Sequence, residues 1–233
     1  MTRTVLSALL LATVLGSSAA HAASFTVTAS VGGAPAGVTL DNLNWLATGG
    51  AGGTNGGLTV SFVPDAGVVT GARSGRYAAP VFSNLNGAAF GDTYNGANQS
   101  RYLTSGRDGG STAGAEAALT FASYQTYLGL LWGSVDSYNT LSFYDGNTLL
   151  GRVTGSQASL VAPNGDQGPG GTYYVNIVSD TAFNKVVATS SSYAFEFDNI
   201  AYDQAPAVPE ATTLVLLGAG LLGLAHRTRR GRR

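Results

Sequence analysis

The chain lacks cysteine entirely and contains only two histidines, His21 and His226, both near its ends. Without cysteine it can form no disulfide, so a packed core must supply the stability of the folded part. A central domain without cysteine or histidine excludes zinc sites with the usual ligands, thiol catalysis and Ser–His catalysis. Only carboxylate chemistry and metals with oxygen ligands remain available there. No cofactor is expected, and calcium stays open with no site assigned.

Charged residues are scarce too, at 11% of the sequence. Between residues 23 and 208, six basic residues stand against twelve acidic ones, so this part carries a net charge of −6 although the whole chain is at −1. Nucleic-acid binding requires clustered basic residues that replace condensed counterions. The composition therefore excludes nucleic acid as a partner, and it disfavours acidic polysaccharide unless divalent cations bridge the two.

The N-terminal residues have the pattern of a secretory signal peptide. Arg3 provides the positive end, residues 5–15 form an apolar stretch too short to span a bilayer, and Ala20-His21-Ala22 is a cleavage site of small residues. We therefore predict export, with a signal peptide over residues 1–22.

The C-terminal residues combine three parts. Val208-Pro209-Glu210 is followed by an uncharged apolar run over residues 211–225, and an arginine cluster ends the chain. As a helix this run is about 22 Å long, which is short for a bilayer core, but it has no polar stripe that would suit a soluble helix. We predict a single transmembrane helix with its arginines in the cytoplasm. A plain C-terminal anchor and a buried helix with a disordered basic end are the alternatives.

The order of these parts resembles the PEP-CTERM sorting signal of Gram-negative bacteria. The resemblance implies that an exosortase, a membrane-embedded cysteine transpeptidase, recognises the signal and cleaves near the Pro-Glu motif while residues 211–225 lie transiently in the inner membrane. It implies release to the cell surface, the outer membrane, or an extracellular exopolysaccharide or biofilm matrix. Ala211 stands where a second proline is usual, which departs from the commonest form. The sorting residues would be Val208, Pro209, Glu210, Arg227, Arg229 and Arg230.

Short alternating segments separated by turn residues run through the central part. Residues 25–30 alternate apolar and polar side chains, and Asp145-Gly146-Asn147 marks a hairpin between residues 140–144 and 148–153. No segment has a helical period. The pattern predicts an all-β fold, an antiparallel β-sandwich.

The first half of this part is rich in glycine. Residues 48–57 predict a flexible loop, because glycine runs cannot form a helix, and no lysine follows them to complete a phosphate-binding loop. Residues 66–110 indicate long loops with one or two short strands.

The second half carries two further resemblances. Residues 194–200 are similar to the last strand of jelly-roll domains in secreted carbohydrate-binding modules. Residues 130–140 together with 164–167 look like a family of exosortase-dependent surface proteins, which implies surface location and little biochemistry. We therefore expect a jelly-roll-like ectodomain over residues 23–205 and the sorting signal over 206–233.

Three functions remain open for this ectodomain. We favour a non-catalytic surface or matrix protein. The first alternative is a glycan-binding, lectin-like module, in which the sugar contacts would be Trp132, Tyr138, Glu196 and Asp198. Glu196 and Asp198 share one face of a strand, and a plain solvated face is the simpler interpretation of that pair.

The second alternative is an enzyme that acts on polysaccharide. Glycoside hydrolysis requires two carboxylates about 5–10 Å apart across the scissile bond. The candidates, by residue type alone, are Asp136, Asp145, Asp166, Glu196 and Asp198.

Overall fold

A computed structural model of the chain describes residues 22–30, 33–108, 114–159 and 163–204. Almost all of the expected signal peptide, and the whole of the sorting signal with its expected transmembrane helix, lie outside these residues. Within the described ranges, no helix is both long enough and apolar enough to cross a membrane.

The described residues form thirteen strands, one 3-10 helix and one α-helix of a single turn. The strands are β1 (Phe25–Ser30), β2 (Thr39–Asp41), β3 (Gly53–Asn55), β4 (Leu58–Phe62), β5 (Ala66–Val69), β6 (Val81–Phe82), β7 (Gly96–Ala97), β8 (Tyr102–Ser105), β9 (Glu116–Gly133), β10 (Asn139–Asp145), β11 (Thr148–Thr154), β12 (Tyr173–Ser190) and β13 (Phe195–Gln204). The 3-10 helix is Ala88–Phe90 and the α-helix, α1, is Gly155–Ala158. All pairings between the described strands are antiparallel, so the all-β prediction is confirmed.

Two long strands, β9 and β12, organise the main sheet. They pair with each other from Tyr173 opposite Trp132 to Thr189 opposite Glu116, with register shifts around Phe183. The first part of β12 pairs with β1 and its last part with β10. The first part of β9 pairs with β4 and its last part with β13, which continues the sheet to β2, β8 and β5. The pairings of the described strands therefore form two halves of the sheet that share the long strands β9 and β12.

Side chains from both halves fill one hydrophobic cluster. Phe25 of β1 packs against Phe143 of β10 with the ring centroids 4.7 Å apart, and Phe121 of β9 lies 5.1 Å from Tyr202 of β13. Each of these pairs joins one half to the other. Apolar burial of this kind is the dominant favourable term in folding.

The outer face of β9, β12 and β13 is also covered. Residues 77–99, which we call the cover segment, lie over it and include β6, the 3-10 helix and β7. The backbone N–H of Val81 donates to Thr172 Oγ1 at 3.1 Å, and the ring of Phe90 lies 6.1 Å from that of Tyr174. Both faces of this part of the sheet are therefore buried.

The glycine-rich half is more ordered than its composition suggests. The prediction that residues 48–57 form only a flexible loop is wrong, because β3 pairs with β4 across a turn at Gly56. Residues 66–110 contain four short strands instead of one or two. The hairpin predicted at Asp145-Gly146-Asn147 is confirmed by the pairing of β10 with β11.

Candidate functional site

A polar cavity of about 250 Å³ opens beside the start of the cover segment. It is lined by residues from four segments, 75–77, 134–138, 164–167 and 193–196. Residues 134–138 and 164–167 are separated in the sequence, and the fold brings them together at this cavity. We call it the Glu196 cavity, after its most deeply buried ionisable residue.

Glu196 projects from β13 into this cavity and is only 2% exposed. Its Oε1 accepts a hydrogen bond from the backbone N–H of Ala78 at 2.8 Å, whereas its Oε2 has no hydrogen-bond partner in the protein. Burial raises the pKa of Glu196 to about 8, and the nearby Asp136 carboxylate adds to the increase. The side chain is therefore a neutral acid at pH 7, able to donate and to accept.

Arg76 brings a cation to the same cavity. Its Nη1 is buried and has no hydrogen-bond partner in the protein. Arg76 and Glu196 thus line the same cavity, and each has one buried polar atom without a partner in the protein. Buried polar groups in folded proteins are normally hydrogen-bonded, so such exceptions point to a ligand or to ordered water.

Asp136 is held against the cavity by closely packed glycines. A Cβ at Gly165, whose φ is +66°, would lie 2.7 Å from Asp136 Oδ1, and a Cβ at Gly155 would lie 2.0 Å from the Asp136 carbonyl oxygen. Only glycine fits both the left-handed backbone and this approach. Burial raises the pKa of Asp136 from its usual range.

Tyr138 stands beside Asp136 at the cavity wall. Its hydroxyl donates to the carbonyl oxygen of Tyr193 at 2.8 Å. Burial and the neighbouring Asp136 carboxylate raise the pKa of Tyr138. The phenol therefore stays protonated across the physiological range.

Of the four residues expected to contact sugar, the structure brings only Tyr138 and Glu196 together at this cavity. Trp132 is fully buried and stacks on Phe195 with the ring centroids 4.3 Å apart, so its ring offers no face to a ligand. The expectation that Trp132 contacts glycan is therefore wrong. Asp198 is fully buried under the cover segment and does not line the cavity.

The interpretation of Glu196 and Asp198 as a solvated strand face is also wrong. The alternation itself holds, because Phe195 and Phe197 point into the main core while the two acids point to the opposite side. That side is covered rather than solvated, since Ala78 and Asn98 of the cover segment bind the two carboxyls.

Asp198 forms a second buried polar group. Its Oδ2 accepts from Asn98 Nδ2 at 2.6 Å and its Oδ1 has no partner in the protein. Burial raises the pKa of Asp198 well above its usual range. Among the described residues, no group of three or more His, Cys, Asp or Glu side chains is placed to hold a metal ion.

The remaining carboxylates proposed for catalysis have local partners and do not line the cavity. Asp145 accepts a hydrogen bond from the Tyr124 hydroxyl at 2.7 Å, and Asp166 accepts from the backbone N–H of Gly168 at 2.8 Å. Only Asp136 and Glu196 of that set share the cavity.

Sequence reasoning missed Arg76 as a site residue. It lies in a glycine- and serine-rich stretch, and only the fold of the cover segment brings that stretch next to β13. The sequence around Arg76, Gly75-Arg76-Tyr77-Ala78, carries no motif that would have identified it as a site residue.

The comparisons with known proteins concern the C-terminal residues. Residues 207–230 match the family model of the PEP-CTERM protein-sorting motif. This confirms the resemblance drawn from the Pro-Glu motif, the apolar run and the arginines. A comparison with curated proteins found no match. The motif implies export and exosortase-dependent sorting to the cell surface.

Proposed function

We propose that this chain is an exported, non-catalytic surface protein that an exosortase cleaves near Pro209-Glu210, and that it then associates with the exopolysaccharide matrix. The matched sorting motif at residues 207–230 supports the processing step. Export by a signal peptide over residues 1–22 and transient anchoring through residues 211–225 complete the route.

The position of the motif relative to the fold carries this proposal. The last strand, β13, ends at Gln204, and the sorting motif begins at residue 207. Cleavage near Pro209-Glu210 would therefore remove the tail and leave every described strand in place. A removable tail directly after a finished domain is what release of a folded protein requires.

The test is the intact mass of the protein recovered from the cell surface and from the medium, in strains with and without the exosortase. We expect loss of the residues after about 208–210 only when the enzyme is present. A full-length tail in both strains would contradict the proposal and leave an ordinary membrane-anchored protein.

Charge-matched variants sharpen this test. In the double variant Arg229→Gln and Arg230→Gln, the tail loses part of the positive charge that holds it in the cytoplasm. We therefore expect slower cleavage by the exosortase. Arg229→Lys with Arg230→Lys keeps the positive charge, and we expect processing at the rate of the unmodified protein. Equal impairment in both pairs would show that charge is not the feature that matters.

We further propose that the two halves of the sheet face each other as a jelly-roll-like sandwich. The contacts of Phe25 with Phe143 and of Phe121 with Tyr202 support this arrangement, because each joins strands from different halves. Sandwich folds host many functions, so the fold by itself does not choose among them.

A glycan-binding function is the second candidate, and the Glu196 cavity favours it. The enzyme alternative retains one carboxylate pair, Asp136 with Glu196. Incubation of the protein with a panel of nitrophenyl glycosides would test it, with Glu196→Gln as control. Release of nitrophenol by the unmodified protein but not by the variant would overturn the non-catalytic assignment.

A further inference from the structure

We propose that the Glu196 cavity binds one neutral sugar ring, at the end of a polysaccharide chain. This inference rests on the proposed association with exopolysaccharide and names the site and the kind of sugar. It depends on neither Trp132 nor Asp198, both of which the fold buries elsewhere.

The polar atoms at the cavity are the first argument. Glu196 Oε2 and Arg76 Nη1 are both buried and both lack a partner in the protein. A sugar hydroxyl donates one hydrogen bond and accepts others, so neighbouring hydroxyls on one ring can satisfy an acid and a guanidinium together. Asn164 and Gln167 also line the cavity and add amide groups that both donate and accept.

The charge of the cavity is the second argument. Glu196 is protonated at neutral pH because burial raises its pKa to about 8. The remaining charges, on Arg76 and Asp136, have opposite signs. The lining is therefore close to neutral, so it suits an uncharged ring and offers no net attraction to the carboxylate of a uronate.

Size and shape are the third argument. The cavity volume of about 250 Å³ is below the range of about 300–1,000 Å³ typical of pockets for drug-sized ligands. It has room for one ring and not for an oligosaccharide. Tyr77 and Tyr138 stand at its wall and can pack against the C–H face of a sugar while their hydroxyls remain at its polar edge.

The experiment uses the purified full chain and saturation-transfer NMR with the methyl glycosides of glucose, galactose, mannose and rhamnose, and with sodium glucuronate. We expect saturation to be transferred from the protein to at least one neutral glycoside present at millimolar concentration. Arg76→Gln removes the unpartnered donor, and we expect binding to weaken about tenfold or more, the factor typical of a hydrogen bond to a charged group. The matched control is Arg73→Gln, because Arg73 is exposed and does not line the cavity; its binding should equal that of the unmodified protein.

A second variant covers the case in which Arg76→Gln does not fold. Near-UV circular dichroism of Trp132, stacked on Phe195, reports folding independently of binding. Gln167→Ala alters an exposed loop residue of the cavity, so it should weaken binding while leaving that signal intact.

Three results would overturn the inference. They are no saturation of any neutral glycoside, equal binding by the unmodified protein and Arg76→Gln, and a preference for glucuronate that disappears in salt. Each can occur while the tail is still removed by the exosortase. Failure of the sugar site is thus distinguishable from failure of the sorting proposal, which intact mass reports.

Discussion

Replacing Glu196 by glutamine should stabilise the protein, and the gain should grow with pH. Burial holds the pKa of Glu196 at about 8, against 4.5 for an ordinary glutamic acid. Between these two values the folded protein keeps a proton that the unfolded chain has lost. The free energy of unfolding therefore falls by about 1.4 kcal/mol for each pH unit in this interval.

The difference between these two pKa values sets the sign and the size of the change in the free energy of unfolding. The contribution of Glu196 to stability is fully present below pH 4.5, falls through the interval, and is lost once the pH exceeds about 8. Over the whole interval the loss reaches about 5 kcal/mol, a large part of the 5–15 kcal/mol typical of a folded domain. Glutamine cannot ionise, and its Oε1 can still accept from the backbone N–H of Ala78. Glu196→Gln should therefore escape the loss.

Urea unfolding of the secreted protein at pH 4.5, 6, 7.5 and 8.5, followed by tryptophan fluorescence, measures this effect. We expect similar midpoints for the two proteins at pH 4.5 and a higher midpoint for Glu196→Gln at pH 8.5, with unchanged m-values. Asp198→Asn should change the curve in the same direction, because burial raises the pKa of Asp198 as well. Asp145→Asn, which removes an exposed carboxylate at the end of β10, is the control for loss of one negative charge. An equal difference between the unmodified protein and Glu196→Gln at all four pH values would refute the reasoning.

Three further predictions concern the core, the cavity and the tail. Trp132→Phe removes part of the ring that stacks on Phe195 in the core, so we expect a loss of about 1–3 kcal/mol in urea unfolding, and an unchanged midpoint would contradict the packing described. Gly165→Ala forces a side chain into a left-handed backbone against Asp136, so a loss of about 1–2 kcal/mol should accompany weaker sugar binding, and full retention of both would speak against a built cavity. Ala211→Pro restores the second proline of the sorting motif, so a pulse–chase experiment should show faster removal of the tail, and slower removal would show that alanine is preferred here.

The sequence pattern predicts most of the strands but not their continuity. Residues 117–121 and 127–133 look like two strands, yet both belong to β9. The polar stretch between them interrupts the apolar alternation because it lies where the ladder shifts register, with Gln125 buried and bonded to the Ser123 carbonyl. A β-bulge shifts the pairing register without ending the strand, and side-chain alternation alone does not reveal it.

The cover segment could not be predicted for a different reason. Its apolar residues recur neither every two residues, as in a strand, nor every 3.6 residues, as in a helix. Much of its order comes instead from individual hydrogen bonds to residues far away in the sequence. Three of these bonds run to β13: Ala78 to Glu196, Asn98 to Asp198, and Asp92 to Asn199. Such bonds join residues about a hundred positions apart, and one sequence holds no local trace of them.

The two acids of β13 connect the fold to the proposed site. Phe195 and Phe197 anchor one face of the strand in the core, so Glu196 and Asp198 must point to the other face. The cover segment closes over that face, yet it satisfies only one oxygen of each carboxyl. Burying a carboxyl with an unpartnered oxygen costs stability, and leucine or glutamine in its place would avoid ionisation. At Asp198 the free oxygen remains under the cover segment, whereas at Glu196 the side chain reaches a cavity that also holds Arg76, Asp136 and Tyr138. The same strand geometry therefore produces a buried polar contact at Asp198 and, at Glu196, a cavity that we propose as the sugar site.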